Sequence, residues 1–173
     1  MEKQMKNFRE LQESLNRPYK WKVARSSKVR TPDGEIMHDT WIAVFTTDDG
    51  SKYKFSASLP DTDWPDDNWE IMFSLESSGF SNETGLTGTA GTSAIRVLAT
   101  IKDIFEAFVK KFKPITMEFS SDKEDAGERG ARTRLYSRFS KKFAKDYGYK
   151  LKTTDGASVV TFSFTKKKKA TKK

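Results

Sequence analysis

Between Trp69 and Ser120 the hydrophobic pattern changes period twice, and no other feature of the chain restricts its fold as much. Trp69, Ile71, Phe73 and Leu75 alternate with Glu70, Met72, Ser74 and Glu76, the signature of a strand with one apolar face. From Ala94 to Phe112 the apolar positions Ile95, Leu98, Ile101, Phe105, Phe108 and Phe112 recur every three or four residues, which is one face of a helix. Pro114 stops that run, and Ile115, Met117 and Phe119 then alternate with Thr116, Glu118 and Ser120. A strand, a helix and a strand in direct succession favour a parallel or splayed strand pair.

The rest of the chain supplies partners for that unit. Met5, Phe8, Leu11 and Leu15 stand at helical spacing and Pro18 closes the run, so residues 1–18 are predicted to form an amphipathic helix. Trp21, Val23 and Ala24 read as a short strand, and Thr31-Pro32-Asp33-Gly34 as a turn. Trp41–Phe45 and Tyr53–Ala57 flank Asp48-Asp49-Gly50, where glycine tolerates the backbone of a tight hairpin. The segment 60–68, with two prolines and four aspartates, is a loop. Beyond a polar break, Ala131, Leu135, Phe139 and Phe143 stack at i+4 on a second helix that ends near Tyr147, with Gly148 as its cap. Val160, Phe162 and Phe164 alternate on a last strand. The expected class is α+β: a mixed, mainly antiparallel sheet of about six strands, packed by two helices and joined by the N-terminal one. Residues 19–165 make a single domain, and 166–173 a disordered lysine-rich tail.

With 13 Phe, 5 Tyr and 4 Trp in 173 residues, the chain has large apolar surfaces that demand burial. The absence of cysteine excludes disulfides, zinc knuckles and thiol nucleophiles, and the single histidine, His38, excludes a multi-histidine metal site. Asp61, Asp63, Asp66 and Asp67 lack the turn glycine and closing glutamate of a calcium loop, so no metal is expected. No run approaches a membrane span, and the charged start has no apolar signal core behind it, so the protein is expected in the cytoplasm and off the membrane.

The net charge of +8 is unevenly laid out. Residues 31–92 hold 2 basic and 12 acidic groups, whereas residues 93–165 hold 15 and 9, and residues 166–173 hold 6 and none. Arg134, Arg138, Lys141 and Lys145 follow i, i+4, i+7 and i+11 on the second helix, forming one stripe able to meet phosphates. Lys166, Lys167, Lys168 and Lys169 open the tail and would add affinity for nucleic acid without sequence preference. The same charge pattern serves equally for solvation or for meeting an acidic protein surface.

Gly85-Leu86-Thr87-Gly88-Thr89-Ala90, lying between the strand and the helix, and Leu135-Tyr136 on the second helix carry a resemblance. The arrangement resembles the GNAT superfamily of N-acetyltransferases, whose loop is Q/R-x-x-G-x-G/A and whose following helix bears a Leu-Tyr pair. That resemblance implies a coenzyme A pyrophosphate held by backbone N–H groups at Gly85, Gly88, Ala90 and Gly91, with Tyr136 protonating the departing thiolate. Gly85 stands where that loop has Gln or Arg. Thr87-Gly88, Ala94, Val97-Leu98-Ala99-Thr100, Phe119-Ser120-Ser121 and Arg134-Leu135-Tyr136-Ser137-Arg138 are similar to a group of small proteins of tailed phages, over roughly residues 38–164. What this second resemblance implies is a phage origin and work in the host cytoplasm or the virion.

The sequence therefore leads to a non-enzymatic phage accessory protein that binds nucleic acid, or a host or phage protein, through its charged faces, with no cofactor. The alternative is a GNAT-like N-acetyltransferase using acetyl-coenzyme A, and the third reading is a minor virion component.

Overall fold

A computed structural model describes residues 17–30, 34, 36–59, 68–76, 83–84, 92–122 and 129–168. The expected N-terminal helix lies outside these apart from its last two residues, and so do the 60–67 loop and the glycines 85, 88 and 91. The elements in chain order are β1 (Trp21–Arg30), β2 (Ile36–Thr46), β3 (Lys52–Ser58), β4 (Asn68–Glu76), β5 (Glu83–Thr84), α1 (Thr92–Phe112), β6 (Thr116–Asp122), α2 (Arg129–Tyr147), β7 (Tyr149–Asp155) and β8 (Val159–Lys166). Strand neighbours follow β1-β2-β3-β4-β6-β8-β7, with β5 pairing β4 off that path. The sheet is mixed: β4 and β6 run parallel, Asn68 opposite Thr116 through Ile71 opposite Phe119, while β8 is antiparallel to both β6 and β7. Of the parallel or splayed arrangements that the strand–helix–strand succession favours, the structure has the parallel one.

Two strands go beyond the sequence expectation, β5 and β7. In β7 Lys150 and Lys152 separate only two apolar residues, Tyr149 and Leu151, before a Thr-Thr-Asp end. A strand at the end of the sheet order needs little apolar surface, so its alternation is short and easily passed over.

Contacts gather in two compact units, Met1–Ser27, Trp41–Ser56 and Phe73–Phe112 in the first, and Lys28–Thr40, Ala57–Met72 and Lys113–Lys173 in the second. The first is built on aromatic rings. Trp41 lies 5.9 Å from Phe55 and 5.8 Å from Phe108, centroid to centroid, and Phe45 stacks on Tyr53 at 5.1 Å. On α1 the buried positions are Val97, Ala99, Thr100, Ile101, Ile104, Phe105, Phe108 and Val109, whereas Ile95, Leu98 and Phe112 are half-buried. The buried face is broader than the single stripe expected, because a helix laid on a sheet covers more than one line of positions. The chain before β1 is fastened along this helix. The Tyr19 N–H donates to Thr100 Oγ1 at 2.8 Å, the Trp21 Nε1–H to Asp103 at 2.7 Å, and Arg96 donates to the Arg17 carbonyl while its guanidinium covers the Tyr19 ring at 3.9 Å.

The β2–β3 connection is the expected tight hairpin. The Thr47 N–H donates to the Ser51 carbonyl and the Gly50 N–H to the Thr47 carbonyl, with Gly50 at φ +85°, a conformation costly for any side-chain-bearing residue. Asp49 accepts from the Thr47 hydroxyl and the Ser51 N–H, and these bonds, the Thr47 hydroxyl foremost, hold its carboxyl below the usual carboxylate range.

The second unit packs α2 on β6, β8 and β7. Phe119 stacks on Phe162 at 4.9 Å, and Phe143 meets Phe164 at 5.9 Å and Tyr149 at 6.4 Å. Its inward sheet face carries Met117, Phe119, Val160, Phe162, Phe164 and Tyr149. Each such ring removes enough apolar area from water to favour folding by about 2 to 3 kcal/mol.

Candidate nucleic-acid interface

The α2 helix, RGARTRLYSRFSKKFAKDY, has seven basic residues and one acidic residue. Its buried face is Tyr136, Ser140, Phe143 and Ala144, so of the expected line through Leu135, Phe139 and Phe143 the last is buried while Leu135 and Phe139 are half-buried on the flank. The small residues Ser140 and Ala144 let the helix approach the aromatic sheet closely, and the Tyr136 ring stands edge-on to Phe119 at 6.1 Å. A contiguous large-residue stripe would hold the helix further away, which is why side-chain size outweighs hydrophobicity here.

Arg134, Arg138, Lys141 and Lys145 are all exposed. At 100° per residue they fall within an arc of about 60° and span about 16 Å of helix. Among the described residues none of the four has an ion-pair or hydrogen-bond partner. The acid of this helix, Asp146, is committed to Lys142 at 2.8 Å. No acidic residue occupies the first turn, where the helix dipole would reward one. The charge of α2 therefore exceeds what helix stability asks for.

The end of α2 is built with care. Gly148 follows at φ +72°, the left-handed position that closes many helices. The Lys166 ammonium donates to the Tyr147 carbonyl at 2.7 Å and lies 4.5 Å from the Tyr149 ring centroid, so a cation neutralises the negative end of the helix. The Lys166 N–H donates to the Ile115 carbonyl and the Lys167 N–H to the Gly148 carbonyl. Lys166, expected to open the tail, is the last residue of β8, and its ammonium is occupied within the fold.

The other sequence-derived sites fare differently. Tyr136, the acid that the acetyltransferase resemblance implies, is 2% exposed and its hydroxyl is buried with its ring, which places it in the core. Gly85, Gly88, Ala90, Gly91 and Lys169 lie outside the described residues, as do Asp61, Asp63, Asp66 and Asp67. Among the described residues no group of three or more His, Asp or Glu side chains gathers as a metal site, and no helix is long and apolar enough to cross a membrane. Sequence reasoning passed over Lys150 and Lys152, both exposed on β7. They alternate with Tyr149 and Leu151, so they stand on the sheet face opposite α2 and do not extend its stripe.

No protein-family model matches the chain, and no curated protein matches it.

Proposed function

We propose that the protein is a non-enzymatic phage accessory protein that binds nucleic acid through the basic face of α2. One observation carries this reading: four cations on one helix arc stand exposed, without partners among the described residues, while the acid beside them is taken by Lys142. Such a face lowers its own electrostatic energy by meeting phosphates and releasing their condensed counterions. The contacts position a duplex without reading its bases. The resemblance to tailed-phage proteins sets this work in the host cytoplasm, with packaging in the virion as a third arrangement.

The test is a fluorescence-anisotropy titration of a mixed-sequence DNA duplex at several salt concentrations. Binding should fall steeply with salt, and Arg134→Glu with Arg138→Glu should abolish it at physiological ionic strength. Absence of binding by the parent chain in low salt would remove nucleic acid as the partner and leave an acidic protein surface.

A second reading, a GNAT-like N-acetyltransferase, has one observation in its favour. β4 and β6 are parallel neighbours joined through the glycine-bearing segment and α1, the succession that the acetyltransferase resemblance implies. Calorimetric titration with acetyl-coenzyme A separates the two readings. Micromolar binding abolished by Gly88→Glu would support the enzyme.

A further inference from the structure

The second unit ends on β7, the last strand of the sheet order. Two hydrogen bonds at its base fix which of its backbone groups point outward. The Lys167 N–H donates to the Gly148 carbonyl at 3.0 Å, whereas the Lys166 N–H turns the other way, to the Ile115 carbonyl at 2.7 Å. Tyr149 stands opposite Lys166 in the antiparallel register, so Gly148 and then Lys150, Lys152 and Thr154 direct their N–H and C=O groups to β8. The intervening residues, Leu151 and Thr153 among them, direct theirs away from the sheet. At the far end the Gly156 N–H donates to the Val159 carbonyl at 2.9 Å, in the same phase. Among the described residues neither Leu151 nor Thr153 makes a hydrogen bond outside the β7–β8 pairing.

The side chains divide in step with the backbone. Tyr149 packs against Phe143 of α2, so Leu151 and Thr153 share the α2 face while Lys150, Lys152 and Thr154 take the other. These last three are exposed, whereas Thr161 and Ser163 on the same face of β8, with a strand on either side, are half-buried. Neither lysine has an ion-pair partner among the described residues. Glu70 and Glu118 carry acid on that face, but they stand on β4 and β6, with β8 between them and the lysines.

We propose that the β7 edge receives an extended acidic segment of a partner protein as an added antiparallel strand, held by the outward backbone groups of Leu151 and Thr153 and by Lys150 and Lys152. In such a pairing Lys150 and Lys152 fall at the non-hydrogen-bonded positions, where cross-strand side chains approach most closely. Acidic side chains placed there meet both ammonium groups. The residue between them faces the half-buried Leu151, where an apolar side chain extends the covered face. The occupant is therefore a strand in which acidic and apolar residues alternate. This edge is separate from the cations of α2, and its use does not depend on nucleic-acid binding.

Two other occupants match the edge less well. Phosphate oxygens only accept hydrogen bonds, so a nucleic-acid backbone leaves the outward carbonyls of Leu151 and Thr153 unmatched. A second copy paired over all seven residues of β7 sets Lys152 opposite Lys152, a like-charge pair that opposes association.

The experiment titrates the full chain into a labelled peptide of about eight residues in which Glu and Val alternate, read by fluorescence anisotropy. Comparison peptides are one of the same composition without the alternation, and one with Lys in place of each Glu. Thr153→Pro removes an outward N–H and leaves the bonds to β8 in place, while Lys150→Glu with Lys152→Glu reverses the charge. The parent should bind the alternating acidic peptide about tenfold tighter than the scrambled one, and Thr153→Pro should remove most of that difference. Charge reversal should weaken acidic-peptide binding by about tenfold and make the Lys peptide the tighter ligand, a gain that a misfolded chain cannot produce. Thermal melts matching the parent show that the proline variant is folded. Equal binding of the alternating and scrambled peptides, unchanged affinity in a folded Thr153→Pro variant, or no binding by the parent would overturn the added strand and leave the α2 interface standing. A parent dimer that Thr153→Pro makes monomeric would overturn it in favour of a second copy, and displacement of the peptide by a DNA duplex would overturn it in favour of nucleic acid.

Discussion

At the scale of single residues, Thr100 shows how a polar side chain becomes indispensable in an apolar place. Its side chain is fully buried on α1, where Oγ1 accepts the Tyr19 N–H at 2.8 Å and donates to the Arg96 carbonyl at 2.7 Å. Thr100→Val keeps the shape and removes the acceptor, leaving a buried backbone N–H without its partner. That change should cost about 1 to 3 kcal/mol in a urea melt. A loss below about 0.5 kcal/mol would mean that water reaches the Tyr19 N–H. Ser140 is the opposite case, since its buried Oγ has no hydrogen-bond partner among the described residues. Its value to the fold lies in its small size. Neither role is written in the residue type, because a buried hydroxyl and an exposed one look alike until the neighbouring chain is in place.

Elements respond on a larger energy scale. Phe105 on α1 and Phe119 on β6 are 2% and 4% exposed, and each meets at least one other ring, Phe55 at 6.0 Å and Phe162 at 4.9 Å respectively. Truncation of either to alanine should cost about 3 to 5 kcal/mol by denaturant unfolding. A loss under about 1 kcal/mol at both would contradict the phase assigned to both elements. Here the pattern was legible in part: alternation set Met117 and Phe119 as the inward residues of β6, whereas Ile115, in the same phase, precedes the strand and is 58% exposed, and the phenylalanine spacing set the core face of α1. For α2 the same reasoning selected Leu135, Phe139 and Phe143, whereas the helix buries Phe143 together with Tyr136, Ser140 and Ala144. Its apolar content is low enough that packing against the sheet, and not the helix's own pattern, decided its rotation.

For the whole molecule the informative boundary is the one between fold and lysine run. Lys166 and Lys167 contribute hydrogen bonds to Ile115, Tyr147 and Gly148, so they belong to the fold although their composition belongs to the run. A chain ended after Lys167 should keep its stability to within about 0.5 kcal/mol, the range of changes away from packed features. A chain ended after Thr165 should lose about 1 to 3 kcal/mol through its unpaired carbonyls and lost helix cap. Calorimetric melts of the two truncated forms would check this, and equal melting temperatures would show that the Lys166 anchor carries no weight.

Taken by itself, the sequence determined the α+β class, the succession of β4, α1 and β6 with its strands parallel or splayed, and the presence of a basic stripe on α2. All of these are local: they follow from the period of the hydrophobic residues, from turn glycines and prolines, and from the spacing of charges along one helix. Tertiary structure decided what depends on residues far apart in the chain. It brought Tyr19 to Thr100, made β7 a strand by pairing it with β8, turned α2 onto its small residues, and set Lys166 on the last carbonyl of α2. Periodicity holds no information about which distant groups will meet. An isolated lysine reads the same in a chain whether it caps a helix or faces solvent, and only the strand that carries Lys166 back past Tyr147 distinguishes the two.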